Sequence, residues 1–440
     1  MRCCLYSFLA CFQFLAWCCS AQQPSPGSQT VSLAANAVNA FGLKLLKAHT
    51  ATLSAAPAVD SIPSNVLLSP YSIQTALAMT FAGSDGVTRG EMANTLDYGA
   101  AGNDIHASFA ALHLALDNSV LSASRMVQPA GKQPGSSSSE PFVLATANRL
   151  FGQRGYEFEA PFLKLTEEAY KAPFLTLDFA RSLPASIRSI NDWVEEQTRR
   201  RIQQLIPPNG LDTDTILVLV NALYFKAPWA VEFNESRTKP EVFHVKGDRQ
   251  MDVPTMVRTG PMGYGERVGF EAVSLPYMGG DFQFLILLPS KSSGLAALEQ
   301  GLTSEELRTN ATLRTREITL HLPRFRLEPP LMRLGPELRA LGMKSAFDEP
   351  RGSANFLRMA APKPDHRLKI SEVFHKTFAA VDERGTEAAA ATAVAMVKTT
   401  SLPARRPEPL EVRVDRPFLF AIQHRSTGAC LFLGRLVNPR

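Results

Sequence analysis

Between Glu383 and Val397 the chain carries two conflicting local preferences. Ala388, Ala389, Ala390 and Ala391, with Ala393 and Ala395, favour a helix on propensity. Yet the run has no polar face at 3.6-residue spacing, and Thr392, Val394 and Val397 resist helix through β-branching. With period two the residues separate cleanly. Thr386, Ala388, Ala390, Thr392, Val394 and Met396 form one small, apolar face; Glu387 is the only charge on the other. Such a segment suits a strand buried on both faces in the middle of a sheet. The continuation, Lys398 to Pro409, contains three prolines among polar residues and reads as an extended, solvated loop. A chain of this kind must reconcile a sheet-ready strand with an exposed, protease-accessible tail.

The chain opens on a targeting segment. Residues 1–21 carry a single charge at Arg2, an apolar run from Leu5 to Trp17, and small residues at Cys19-Ser20-Ala21 suited to cleavage. Five of the six cysteines lie in that segment, so only Cys430 remains after its removal and no intrachain disulfide can form. The expected product is a secreted chain, with no membrane association after signal removal, whose stability rests on core packing. With 45% hydrophobic composition over 440 residues, a large core is available. The net charge of +5 is mild and does not argue for nucleic acid. Arg199-Arg200-Arg201, closing a helical pattern, reads as a solvated helix end.

Residues 22–33, rich in Pro, Ser and Gln, read as a disordered tail. Ala34, Val38, Phe41 and Leu45 then share a helical face. Val66–Leu68 reads as a short buried strand, and Ser69-Pro70 opens a central helix that ends near Gly83 and Gly86. Thr88 is the expected cap of the next helix, starting near Arg89. Residues 122–141, with two Pro-Gly turns' worth of breakers and four serines in a row, read as a surface insertion without secondary structure. Strands are expected at Phe142–Phe151, Ile216–Tyr224, Phe284–Pro289 and Glu317–Phe325. An apolar hairpin closes around Ser426-Thr427-Gly428. Helices first, strands later and no regular βαβ alternation predict a single α+β domain.

Enzyme motifs are absent from the sequence: no Gly-x-Ser-x-Gly, no His-Glu-x-x-His, no Walker loop, and no Cys-x-x-Cys after residue 21. Gly263-Tyr-Gly265 reads as a plain turn, His321 as a structural strand residue, and Cys430 as core. No enzyme activity, metal or cofactor is expected.

From about residue 34 to 440 the chain resembles the serpin family. Asn65-Val-Leu-Leu-Ser-Pro-Tyr-Ser-Ile73 with Ala76-Leu-Ala-Met79, and Val220-Asn-Ala-Leu-Tyr-Phe-Lys226 with Trp229, are similar to its segments in and beneath the main sheet. His375-Lys376, Val381-Asp-Glu-Arg-Gly-Thr-Glu-Ala-Ala-Ala-Ala391 and Asp415-Arg-Pro-Phe418 follow in the family's order. The resemblance implies a serpin fold of three β-sheets and eight or nine helices, in which residues 383–416 form the hinge and reactive-centre loop. It also implies a function: inhibition of a serine endopeptidase by a suicide-substrate route. A protease attacks the loop, an acyl-enzyme forms, and residues 386–397, held outside until then, insert into the large sheet and trap the enzyme. About a dozen inserted residues, at about 1 kcal/mol net per hydrogen bond, supply on the order of 10–20 kcal/mol.

Site residues follow from the same resemblance. Ser69, Ser72, Asn221 and His375 match the polar shutter where the central strands part, and Trp229, Arg324 and Glu383 match the breach at the top of the sheet. The hinge is Glu383, Gly385, Thr386, Glu387 and Ala388–Ala391. Small residues there imply an inhibitor, with a non-inhibitory binding or storage protein and a cross-class inhibitor of a cysteine protease as alternatives. Counting fourteen residues past Gly385 places the scissile bond at Thr399-Thr400, which suits an elastase-like or subtilisin-like protease. A loop shorter by one would select Lys398 and a trypsin-like enzyme; Arg405 and Arg406 rank third. The expected partner is a target protease met by a monomer. Asn234-Glu-Ser236 and Asn310-Ala-Thr312 are candidate N-glycosylation sequons.

Overall fold

A computed structural model describes residues 26–55, 64–99, 102, 104–127, 142–246, 249–361, 368–387 and 408–440. The first half is mainly helical: α1 (Pro26–Ala55), β1 (Val66–Leu68), α2 (Pro70–Gly83), α3 (Gly86–Thr95), α4 (Ile105–Val127), β2 (Val143–Gln153), α5 (Ala160–Tyr170), β3 (Leu175–Leu177) and α6 (Phe179–Gln197). Strands dominate next, with β4 (Leu217–Pro228), β5 (Lys239–Lys246), β6 (Arg249–Arg267), β7 (Phe270–Pro276) and β8 (Phe282–Pro289). Then follow α7 (Leu295–Gly301), α8 (Ser304–Thr309), β9 (Arg314–Pro323), β10 (Phe325–Leu327), β11 (Met332–Arg333) and α9 (Gly335–Ala340). The chain closes with β12 (Phe374–Thr377), β13 (Ala379–Val381), β14 (Gly385–Thr386), β15 (Leu410–Arg413), β16 (Phe418–His424) and β17 (Cys430–Leu436).

Three sheets result, with nine α-helices among the described residues. The front sheet runs β10–β13–β14–β4, with β12 and β11 continuing its lower part and β2 and β3 beyond β4. The other two share the 19-residue strand β6. Thr255–Tyr264 of that strand pairs with β9, which carries β15, while β5 pairs with its start. Its far end, Gly263–Arg267, passes to β7, and the sheet continues through β8, β16, β17 and β1. Every residue of β8 and β16 is buried, as continuous apolar runs require in strands covered on both faces. The face of α1 expected from spacing is buried too: Ala34, Val38, Phe41 and Leu45 are all in the core.

Five local expectations need correction. Helix α1 starts at Pro26, inside the expected tail of residues 22–33; a proline suits the first turn because no partner there awaits its missing N–H. Helix α4 runs to Val127, into the expected insertion at 122–141, because Ala123 is buried against Gly279; residues 128–141 lie outside the described residues. Helix α3 opens at Gly86 after Asp85, and the Thr88 hydroxyl instead accepts from the Asn355 N–H and donates to the Ser353 carbonyl. Gly263 and Gly265 lie within β6 rather than in a turn; a Cβ on Gly263 would fall 2.2 Å from Ser274 Oγ, so strand packing demands glycine there. Finally, Leu410–Arg413 is not loop but β15, paired in parallel with β9.

Gly434 shows how closely the last hairpin is packed. It pairs with Phe420, and a Cβ at this position would lie 2.1 Å from the phenyl ring. Gly434→Ala is expected to cost about 1–3 kcal/mol through overpacking, read as a lower urea midpoint with an unchanged slope.

Candidate functional site

The front sheet contains a fork. In its middle, β12 lies directly against β4 in parallel, through Lys376–Ala222 and Thr377–Leu223. One residue further on, at Phe378, the strands separate. Into the gap comes β14, with Gly385 opposite Pro228, and Thr386 opposite Ala227 on one side and Val381 on the other. Thr386 is therefore not held outside with the loop, as the resemblance implied; it already occupies the sheet. Its side chain is buried, and its hydroxyl is 2.5 Å from that of Tyr277. Glycine is required beside it, since a Cβ at Gly385 would meet the Ala227 carbonyl oxygen at 2.1 Å.

An aromatic and polar collar surrounds the wedge. Trp229 stacks on Tyr277 with centroids 4.6 Å apart and donates from its indole N–H to the Asp382 carbonyl at 2.9 Å. Backbone bonds from Trp229 to Arg384 and from Phe233 to Glu383 bind the 229–233 segment to the hinge. The Glu383 carboxylate is buried, accepts from the Thr238 hydroxyl at 2.7 Å and lies 3.7 Å from the Arg324 guanidinium. Of the three residues expected at the breach, Arg324 and Glu383 come together directly, while Trp229 bonds to the hinge through the Asp382 and Arg384 carbonyls. Arg324 is half exposed, so its ion pair contributes under about 1 kcal/mol, and Thr238 holds the carboxylate more closely. Asp382 turns the chain back, accepting from the Arg384 and Gly385 N–H groups, while Arg384 is clasped by Glu235. Burial pushes the Asp382 carboxyl above its usual range, and those two backbone donors work against the shift.

Below the fork lies the second predicted cluster. His375 is wholly buried, and its Nε2 accepts from the Ser69 N–H at 3.1 Å. Ser69 Oγ donates to the Leu431 carbonyl and accepts from the Ser72 N–H, capping α2. Thr377, which the sequence reading did not single out, donates from its hydroxyl to the Leu67 carbonyl at 2.8 Å. These bonds tie β12, the strand that must move if the fork widens, to β1, α2 and β17. Desolvation lowers the His375 pKa to about 3, so the ring is neutral in its acceptor role. Asn221 lies in β4 opposite Asn148, and its side chain falls outside the described residues.

Glu387, the last hinge residue described, carries a buried carboxylate paired with Arg201. The arginine run after α6 is thus more than a solvated helix end. Residues 388–407 lie outside the described residues, and with them Ala388, Ala389, Ala390, Ala391, Lys398, Thr399, Thr400, Arg405 and Arg406. Of the two sequons, Asn234 is exposed. Asn310 is fully buried, accepts from Arg267 through Oδ1 and encloses its amide nitrogen, leaving no room for a glycan. Tyr277, Thr238 and the Arg384–Glu235 clasp carry no local signal that would have marked them. Among the described residues there is no His, Cys, Asp or Glu cluster able to hold a metal ion, and no helix is long and apolar enough to cross a membrane.

Comparison with known proteins is consistent over nearly the whole chain. A family model described as Serpin (serine protease inhibitor) matches residues 36–439. A leukocyte elastase inhibitor of Sus scrofa is 36% identical over 384 residues, covering 85% of this chain and 93% of that protein. Among solved structures, uncleaved ovalbumin aligns with a TM-score of 0.72 at 25% identity, covering 92% of this chain and 100% of that one. Cleaved Serpin 42Da aligns with a TM-score of 0.73 at 28% identity, covering 93% and 99%.

Proposed function

The chain belongs to the serpin family, and from that premise we propose that it is a secreted suicide-substrate inhibitor of a serine endopeptidase with an elastase-like pocket. The observation that carries the reading is the wedge of Gly385 and Thr386 between β13 and β4. It gives an inserting strand a starting register, and the residues that follow it in sequence, Ala388–Ala391, are small enough to enter on both faces. Among the described residues, the pairings Lys376–Ala222 and Thr377–Leu223 and the parallel bridge Val373–Leu219 just before them join the β12 segment to β4 below the wedge. Their loss is offset as each new residue gains bonds on both sides. The shutter bonds from Thr377 and His375 act as the latch on that opening. Thr399-Thr400 is the proposed scissile bond, and a small β-branched residue before it fits the target class printed for the Sus scrofa relative.

Mixing with an elastase-like protease is expected to give a complex that survives SDS, with a new N-terminus at Thr400 in the released peptide. Loop cleavage with fully active protease and no complex would reject inhibition. The cleaved chain is expected to melt higher than the intact one, because insertion adds a central strand. Secretion is checked separately, by a mature N-terminus at Gln22.

A further inference from the structure

Glu387 sits where the chain leaves the sheet. Its φ of +52° is left-handed, a conformation uncommon outside glycine, and its N–H donates to the Ala380 carbonyl at 2.6 Å. Thr386 before it is strand; Glu387 is the pivot. The carboxylate is 6% exposed, paired with Arg201 and beside the Tyr224 hydroxyl. Burial pushes this carboxyl up, and Arg201 is the strongest of the neighbours opposing the shift, ahead of Tyr224, Lys226 and Arg326.

Arg201 is aimed by its own backbone. After α6, Arg199 and Arg200 both turn left-handed, at φ 51° and 63°, with N–H bonds from Arg200 to Glu195 and from Arg201 to Thr198. The guanidinium reaches 5.7 Å from the Phe378 ring, the residue at the fork, and Arg326 covers the same ring at 4.7 Å. Two left-handed arginines in succession are a costly way to end a helix, and here they direct the third over the tip of β14.

We propose that Arg201 is a positioning residue that keeps the hinge docked in the uncleaved chain, pinning Glu387 so that Gly385 and Thr386 stay in the sheet before any protease arrives. Removing Arg201 leaves a buried carboxylate with its main counter-charge gone, and the simplest relief is for Glu387 to move into water and draw Thr386 out with it. Docking is separate from full insertion. To enter the sheet, Glu387 must pass from +52° to roughly −120°, carrying its Cβ about 170° around the N–Cα bond, so the pair described here belongs to the resting pivot. The proposal deepens the inhibitor reading and rests on it for its functional consequence. A docked hinge begins insertion from a formed register, so acylation is followed sooner by trapping and less often by hydrolysis.

The test uses the full chain with Arg201→Ala, Arg201→Lys and the double charge swap Arg201→Glu with Glu387→Arg. Arg201 is 44% exposed, so the two single changes spare the core, whereas the swap also alters the buried Glu387. Amide hydrogen exchange at Gly385 and Thr386, measured without protease, is expected to speed up about 100-fold in Arg201→Ala and to return toward wild type in the swap. Trp229 emission, reporting the Tyr277 stack, should move in parallel. With protease, the stoichiometry of inhibition is expected to rise several-fold in Arg201→Ala and fall again in the swap. Unchanged exchange in Arg201→Ala, or a swap that leaves exchange as fast as the single variant, overturns the proposal. If the wild-type chain traps no protease at all, the inhibitor reading fails, while the exchange measurement still decides whether Arg201 docks the hinge.

Discussion

Thr386→Arg converts the protein from inhibitor to substrate. Thr386 is 1% exposed, flanked on both sides by strand, and bonded through its hydroxyl to Tyr277 beneath the Trp229 ring. An arginine in this slot would have to bury a guanidinium beside the Tyr277 and Trp229 rings, which costs several kcal/mol. The hinge then stays outside, and insertion lacks its first step. In the proposed mechanism trapping competes with hydrolysis of the acyl-enzyme, and there a barrier raised by only about 1.4 kcal/mol shifts the competition tenfold. The SDS-stable fraction is therefore expected to fall at least tenfold while loop cleavage continues. Thr386→Ser, which keeps the hydroxyl, retains complex formation. An arginine variant that traps protease as well as wild type would show that insertion does not begin at this residue.

Acid is the second large lever, through buried histidines rather than the reactive loop. Burial lowers the pKa of His375 to about 3 and those of His106 and His424 to about 4, against an ordinary value of 6.5. Desolvation is the main cause in each, aided at His375 by His49 and at His106 by Arg89, whereas Asp281 opposes it at His424. The unfolded chain takes up protons at these sites as pH falls through 6.5, and the folded chain does not until about 4. Stability is thus fully present above about pH 7 and declines between 6.5 and 4, by about 1.4 kcal/mol per pH unit for each histidine. Three together give a slope of about 4 kcal/mol per unit, and a two-unit drop then rivals the whole stability of a typical domain. Asp382, Glu299 and Glu387, pushed up by burial, act with the opposite sign and soften the lower end of the fall. Urea midpoints are expected to be flat above pH 7 and to drop steeply by pH 5. A midpoint at pH 5 equal to that at pH 7 would mean the histidines are not sealed from water. Protonating His375 would also remove the acceptor of the Ser69 N–H, but with the lowest pKa of the three this ring takes up its proton last, so the shutter bond is expected to outlast the other two sites.

Two of the segments that carry the expected shutter residues were legible from local chemistry, while the cluster itself was implied only by the family resemblance. Ser69-Pro70 announces a helix start, and the apolar run around Val220 announces a strand buried on both faces; both elements appear where their local chemistry puts them. The breach was legible only as residue types. Trp229, Arg324 and Glu383 are separated by up to 154 positions, and no local pattern shows that Thr238 would bind the carboxylate more closely than Arg324. Arg201 illustrates the limit best. Its triplet was visible as charge and read as a solvated helix end, since helix-end arginines generally complement the dipole. Its partner lies 186 residues away, on a segment that the family resemblance placed outside the sheet.

The sequence by itself determined that Thr386 and the alanines after it can live inside a sheet, because alternation and side-chain size are local properties of a strand. It also determined the class of fold, through motifs that occur in a fixed order. How far the hinge has already entered was decided by tertiary structure alone. Strand pairing is made by backbone groups distant in the chain, here Ala227, Val381 and Ala380, and their availability depends on where β12 and β4 part company at Phe378. Composition can license an insertion; only the assembled sheet sets the depth at which it rests.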